Sequence, residues 1–364
     1  VADARDHLLG LTEAGFASWA KARGAGDGAA RAFARTMLAR AAKSPVRGGE
    51  TAGKVLLEAA ARDLDDSMPA YEAFPDPDGT VRFAITLSDG ALVETVLIAQ
   101  PAQAENDESD RKRSRFTVCV SSQVGCARGC VFCETGRLGF VRNLAAWEIV
   151  AQFAIAADYL KTNQKLAPDN VVFMGMGEPL DNLEAVLQSI AVLREQSGFA
   201  VPERRITVST VGIVPRMDEL YARTKANLAV SLHALEEKSR VALLPIAKKF
   251  DLATLRAAIA RAPRTVLLQW TLIEGQNDSD EDADRLAKFC EGLDARVNLI
   301  PLNPGPLDAQ RAPPLERCRA FQKRLADAGV RALLRLPHGQ QVGGACGQLA
   351  GARRDQGAGA APTT

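Results

Sequence analysis

Apolar positions along the chain change period twice. Up to about residue 70 they recur at helical spacing. Leu8, Leu9, Leu11, Phe16 and Trp19 precede a Gly-rich break at Gly24–Gly28, a second stretch runs through Phe33–Ala42, and a third through Ala52–Leu64. These predict a small helical accessory domain over residues 1–75, a packing or docking module. From Val81 the pattern becomes β-rich. Val81–Leu87 and Leu92–Ile98 flank Ser88-Asp89-Gly90, and Pro77-Asp78-Gly79 precedes them. Two such runs joined by an Asp-Gly turn predict a hairpin. Residues 101–115 are acidic and then basic, and read as a solvated loop that completes a hairpin-and-linker segment over 76–115.

From Phe116 short apolar runs alternate with helical patterns. The expected strands are Phe116–Ser121, Val171–Gly175, Arg205–Thr210, Asn227–Leu232, Val266–Ile273 and Val297–Leu302, with 331–336 as a possible addition. The expected helices lie near 144–162, 183–197, 215–224, 251–262, 279–293 and 314–329, with Asp251 and Ser279 as N-caps. Alternation of this kind predicts parallel βαβ units. The fold class is therefore α/β, a partial six-unit β/α barrel over 116–350, carrying the helical domain and the hairpin. The Gly/Ala-rich end, 351–364, reads as a disordered tail.

Composition fits that picture. The 364 residues are 47% hydrophobic and 24% charged, with net charge +1, so a globular core is expected and any nucleic-acid contact must come from a local patch. Residues 111–142 hold such a patch: seven basic residues (Arg111, Lys112, Arg113, Arg115, Arg128, Arg137, Arg142) less one acid, Glu134, gives +6. Lys248 and Lys249 are a second candidate, and a solvated charged loop is the alternative for Arg111–Arg115. No apolar run of about 18 residues is present, and the opening Val1-Ala-Asp-Ala-Arg-Asp lacks a basic-then-apolar leader. A cytoplasmic protein without a membrane partner is expected, read as a monomer.

Seven cysteines are present, and three of them stand as Cys126-Ala-Arg-Gly-Cys130-Val-Phe-Cys133. Three thiolates at this spacing suit a 4Fe–4S cluster with one open iron; a zinc site completed by Cys119 or a distant residue, or unligated thiols, are the alternatives. Cys290 and Cys318 fall on apolar helix faces and read as core. In β/α barrels chemistry gathers at strand C-termini. The strands here end at the cysteine loop, at Gly175-Met-Gly-Glu-Pro179, at Ser209-Thr210, at Ser231-Leu-His233 and at Asn303-Pro304. His233 alone could equally be a structural histidine, and Glu94 by composition is an exposed strand glutamate.

The cysteine spacing resembles that of the radical S-adenosylmethionine superfamily. The set Cys119-Val-Ser-Ser-Gln-Val-Gly-Cys126, Met174-Gly-Met-Gly-Glu-Pro179, Ser231-Leu-His-Ala234, Asn298-Leu-Ile-Pro301 and Ala345-Cys-Gly-Gln-Leu349 resembles the RlmN/Cfr family of RNA adenosine methyltransferases, from about Leu92 to Gly351. Glu134, Ala247 and Leu336–Val342 depart from the family pattern. The resemblance implies an enzyme that methylates adenine in ribosomal RNA, in some members also in transfer RNA, at ring carbon 2 or, alternatively, carbon 8. It implies one 4Fe–4S cluster, two molecules of S-adenosyl-L-methionine per turnover, and a one-electron reductant. It assigns Cys126, Cys130 and Cys133 to the cluster. Gly177, Glu178, Ser209, Ser231, Leu232, His233 and Asn303 go to the cofactor. Cys346 becomes the methyl carrier, Cys119 the thiol that resolves the intermediate through a transient disulfide, and Glu94 the proton acceptor. A non-catalytic iron–sulfur or zinc RNA-binding protein is the reading from another class.

Overall fold

The computed structural model describes residues 6–46, 53–100, 114–304 and 310–349. Three helices come first: α1 (Glu13–Lys21), α2 (Asp27–Ala41) and α3 (Lys54–Asp63). Their apolar stripes meet over Phe16, Trp19 and Phe33, where Trp19 and Phe33 stack with centroids 5.1 Å apart. The strands β1 (Ala70–Pro75), β2 (Val81–Thr86) and β3 (Leu92–Gln100) form an antiparallel meander. Then follow β4 (Arg115–Cys119), β5 (Gln123–Gly125), α4 (Glu134–Arg137), β6 (Phe140–Asn143), α5 (Ala146–Gln164), β7 (Asn170–Phe173), α6 (Leu183–Leu193), β8 (Ile206–Thr210) and α7 (Val214–Arg223). The chain continues through β9 (Asn227–Ser231), α8 (Glu237–Leu243), α9 (Leu252–Ala260), β10 (Val266–Leu272), α10 (Asp280–Cys290), β11 (Ala295–Pro301), α11 (Leu315–Asp327) and β12 (Ala332–Leu334).

One ten-stranded sheet runs β1-β2-β3-β4-β7-β8-β9-β10-β11-β12. From β4 to β12 every pairing is parallel. The six expected βα units are there, and the addition at 331–336 is a seventh parallel strand, β12. Asp251 and Ser279 cap α9 and α10 as expected: Asp251 accepts the Thr254 N–H at 2.7 Å, and Ser279 shares a reciprocal capping box with Asp282. Strand β1 was not anticipated, because it is a mostly exposed edge without an apolar stripe. The short β5–β6 ribbon and α8 were missed because each is too brief to show a period. The 351–364 tail and Arg111–Arg113 lie outside the described residues.

The meander joins the parallel sheet through β3–β4, in the register Val96↔Cys119, while β2–β3 pairs Arg82↔Val96 and Ala84↔Glu94. Opposed residues share a face. One face therefore carries Arg82, Ala84, Glu94, Val96, Cys119 and Ser121. The other packs on α5: Phe83 meets Tyr159 edge-on at 5.3 Å, and Gln152 Oε1 accepts from Thr95 Oγ1 (2.6 Å) and from Ser121 N–H (2.7 Å). The N-terminal helices abut α5 and α6, where His7 stacks on Trp147 at 4.1 Å and Gln188 donates to the Gly10 carbonyl. Cys290 and Cys318 are buried core, as expected. Among the described residues no helix is long and apolar enough to cross a membrane.

Ser279→Ala removes one half of the α10 capping box and should lower unfolding stability by about 1 kcal/mol. Urea titration followed by circular dichroism measures it; a change indistinguishable from zero would mean the cap is made good by solvent.

Candidate active site

The C-terminal ends of the parallel strands open into one cleft of about 950 Å³, counted out to its mouth. Cys126, Cys130 and Cys133 line it, together with Gly177, Glu178, Ser209, Ser231, His233, Asn303 and Cys346. Ten of the thirteen predicted site residues therefore line one cleft. The other three do not. Leu232 is fully buried behind the cleft, its N–H bonded to the Gln269 carbonyl. Cys119 and Glu94 sit beneath the cleft, on the shared face of β3 and β4. Glu94 is 1% exposed, not an exposed strand residue, and is ion-paired to the equally buried Arg82. Arg82 escaped the sequence reading. Its signal was there: once the hairpin register is drawn, Arg82 and Glu94 are diagonal, opposite-charge neighbours on one face.

The cysteine loop wraps tightly on itself. The Cys126 N–H donates to the Gly139 carbonyl at 2.8 Å, Cys133 N–H to Cys130 O at 3.2 Å, and Arg128 N–H points at Cys126 Sγ at 3.5 Å. Arg128 Nε donates to Asp181 at 2.6 Å, and Arg142 pairs with both Asp89 and Glu148. The expected +6 patch is thus partly neutralised by acids brought in from elsewhere.

Burial pushes all three thiols up, Cys126 to about 11; neighbouring sulfurs add to it at Cys126 and Cys130, and Glu134 adds to it at Cys133. Three thiols lining one cleft fit iron by their donor chemistry, since the metal's charge would displace their protons. Cys346 lines the same cleft as Cys133 and is solvent-exposed there. Cys119 is raised first by burial and then by Cys346, so these two sulfurs lie within electrostatic reach of each other.

The Gly-Met-Gly-Glu-Pro turn after β7 packs against residues 119–123. Gly177 has φ +100°, and a Cβ there would fall 2.6 Å from Gln123 Cβ, so only glycine fits. Gln123 Oε1 in turn accepts the Glu178 N–H at 2.8 Å. The Glu178 carboxylate accepts from Leu180 N–H (3.0 Å) and Val211 N–H (2.9 Å), yet burial dominates and raises it to about 7. His233, at φ +59°, accepts the Thr271 N–H on Nδ1 at 2.9 Å. That leaves its proton on Nε2, and burial followed by Arg240 lowers its pKa to about 3, so the ring is neutral. Asn303 Nδ2 donates to the Cys346 carbonyl at 3.0 Å, tying the end of β11 to the cysteine's own loop.

A parallel α/β sheet whose strand ends hold a three-cysteine loop and a glycine-rich turn in one cleft defines a radical S-adenosylmethionine enzyme. The Radical SAM superfamily model matches residues 120–287. The chain is 46% identical over 297 residues to the "Probable RNA methyltransferase sce1580" of Sorangium cellulosum, covering 81% of this chain and 72% of that protein. It is 41% identical over 296 residues to the dual-specificity RNA methyltransferase RlmN of Desulfotalea psychrophila, covering 77% and 78%. The crystal structure of a radical SAM methyltransferase from Sphaerobacter thermophilus superposes with TM-score 0.83 at 36% identity, covering 95% of this chain and all of that one. The chain belongs to the RlmN/Cfr family of radical S-adenosylmethionine RNA methyltransferases. It is a methyltransferase that uses a 4Fe–4S cluster and S-adenosylmethionine and acts on RNA.

In the ligand-free protein, Glu178 titrates near 7 when folded, against 4.5 as its ordinary value. The folded state then holds the proton more tightly. Its contribution to stability is complete below pH 4.5 and is lost as pH rises through 7. Between pH 5 and 8 the wild type should lose about 2–3 kcal/mol from this group. Glu178→Gln should lack that component. Parallel urea titrations at the two pH values measure the difference, and equal pH slopes for both proteins would show that Glu178 ionises normally.

Proposed function

We propose that this enzyme methylates ring carbon 2 of an adenine in ribosomal RNA, and in transfer RNA as well, through an S-methylated Cys346. The observation that carries the reading is that Cys346 lines one cleft with the cluster cysteines and lies within electrostatic reach of Cys119. The relatives named dual-specificity RNA methyltransferases support the two-RNA reading. Carbons 2 and 8 of adenine are poor nucleophiles, so a plain methyl displacement at either is excluded by reactivity. When bound, the cluster and two molecules of S-adenosylmethionine would supply a methyl group, an electron and a hydrogen-abstracting group.

Cys126, Cys130 and Cys133 would hold the cluster. Gly177, Ser209, Ser231, His233 and Asn303 would surround the cofactor, with Leu232 fixing the backbone behind them. An ammonium group beside Glu178 would favour its carboxylate over the acid at neutral pH. Cys346, as thiolate, accepts the methyl group, and the carbon it carries becomes bonded to the adenine. Glu94 accepts the ring proton, and the one electron released as the ring regains its aromaticity would return to the cluster. The Cys119 thiolate then attacks the Cys346 sulfur. The S–S bond forms as the S–C bond breaks, the electron pair leaves with carbon, and a proton completes the methyl group. An external dithiol restores both thiols. A monomer working in the cytoplasm with a one-electron reductant completes the reading.

Cys119→Ala separates this chemistry from a packing role. With no thiol placed to attack Cys346, the variant purified from cells should carry RNA covalently bound at Cys346, seen on a denaturing gel and by mass after nuclease digestion. The Cys119→Ala/Cys346→Ala double variant should carry none. Normal methylated product without a crosslink, from a folded cluster-bearing Cys119→Ala protein, would rule out the assigned role. Cys130→Ala should abolish turnover with the loss of iron, and methyl transfer by an iron-free variant would contradict the cluster assignment. Mapping methyladenosine in RNA from cells with and without the enzyme distinguishes carbon 2 from carbon 8.

A further inference from the structure

Between Arg335 and Leu349 the chain has no helix or strand, yet this segment delivers Cys346 to the cleft. Its far end is fixed to the cysteine loop, where Glu134 N–H donates to the Gly347 carbonyl at 2.8 Å and Thr135 Oγ1 to the Leu349 carbonyl at 2.6 Å. Its near end is held by the meander. Asp78 Oδ2 accepts the Gly339 N–H at 2.9 Å and lies 3.3 Å from His338 Nδ1, and Asp76 Oδ2 accepts the Gln341 N–H at 3.1 Å. The same carboxylates close the turn between β1 and β2: their second oxygens accept the N–H groups of Asp78 and Thr80. Gly339 has φ +67°, and a Cβ there would lie 2.8 Å from Thr80 Cγ2, so loop and turn are in direct contact. Arg82 adds the third hold. Its Nε donates to the Val342 carbonyl at 2.5 Å while Nη1 pairs with Glu94. Gly344 then lies over Val96 and Arg82, on the face that carries Glu94 and Cys119.

We propose that Asp76, Asp78 and Arg82 form a clasp that positions Cys346, and that the single guanidinium of Arg82 sets the distance between the methyl-carrying thiol and the proton acceptor. The proposal rests on the reading of Cys346 and Glu94 given under Proposed function. One thiol must meet a methyl donor, an adenine and Cys119 in turn, and its loop has no ladder of its own to hold it. The far anchor ties it to the cysteine loop; the clasp ties it to Glu94. Arginine suits this because its donors are fixed in one plane and can serve a carbonyl and a carboxylate at once, whereas the point charge of lysine cannot hold both in that geometry. All three are positioning residues: none lines the cleft.

Two variants of the cluster-bearing enzyme test this, Asp76→Ala/Asp78→Ala and Arg82→Lys. In the double variant, amide hydrogen exchange at Gly339 and Gln341 should rise at least about tenfold, and alkylation of Cys346 should quicken, with iron content unchanged. In both variants the 5′-deoxyadenosine released per methylated adenine should rise severalfold, because hydrogen is taken from groups other than the Cys346 methyl. A role in stability alone would lower all rates in proportion and leave that ratio at the wild-type value, which would overturn the proposal. Unchanged exchange at Gly339 and Gln341 would overturn it equally. If the double variant fails to fold, the ratio for Arg82→Lys and its exchange at Gly343 and Gly344 decide in the same sense. Peptide mass analysis of wild-type Cys346 is run alongside. Absence of the methyl group there would refute the functional reading, while the exchange data would still judge the clasp.

Discussion

The pairing of β4 with two unlike neighbours is the constraint on which the site depends. On one side β4 pairs in parallel with β7, and on the other antiparallel with β3. The parallel side sends the chain out at the C-terminal edge of the barrel, where it becomes the cysteine loop. The antiparallel side sets Val96 opposite Cys119 and so aligns Glu94 on the same face. A slip of one residue in either pairing would turn Cys119 to the α5 side and separate it from Cys346. Ser121 secures this junction, its hydroxyl donating to the Glu94 carbonyl at 2.6 Å and accepting the Met176 N–H at 2.9 Å.

Around that junction burial favours the neutral forms of several cleft groups. His233 is neutral, Glu178 sits near the midpoint of its titration at pH 7, and the thiols are held toward their protonated forms. Positive charge entering the cleft, from iron or from a sulfonium and its ammonium, would be met by groups that can give up protons to it. The Arg82–Glu94 pair is the exception, a buried ion pair outside the cleft lining. Breaking such a pair by removing one partner costs about 3–5 kcal/mol in typical cases, although keeping it confers little net stability. Its retention here is therefore better explained by geometry, since Arg82 also reaches the Val342 carbonyl.

The helical N-terminus joins the same body through ordinary packing. Its aromatic core around Phe33 is continuous with the core beneath α5 and α6. Its salt bridges, such as Lys43–Asp158 to α5 and Arg40–Asp66, are exposed. Pairs of this kind contribute at most about 1 kcal/mol each.

The sequence by itself determined the βα alternation, the hairpin, the helix caps and the convergence of strand-end motifs on one cleft. These follow from period, capping and spacing, which act over a few residues and are written locally. It also marked Cys126, Cys130, Cys133, Glu178 and His233, because each stands in a motif tied to a strand end, whereas Cys346 was marked only through the family resemblance. Only the tertiary structure decided that Glu94 is buried, that Arg82 and the Asp76–Asp78 turn hold the Cys346 loop, and that Arg128 and Arg142 are already paired. Those facts depend on contacts between residues up to 265 positions apart, as for Gln341 and Asp76. No local pattern encodes such a contact; it exists only once the register of β2, β3 and β4 has brought the partners to one face.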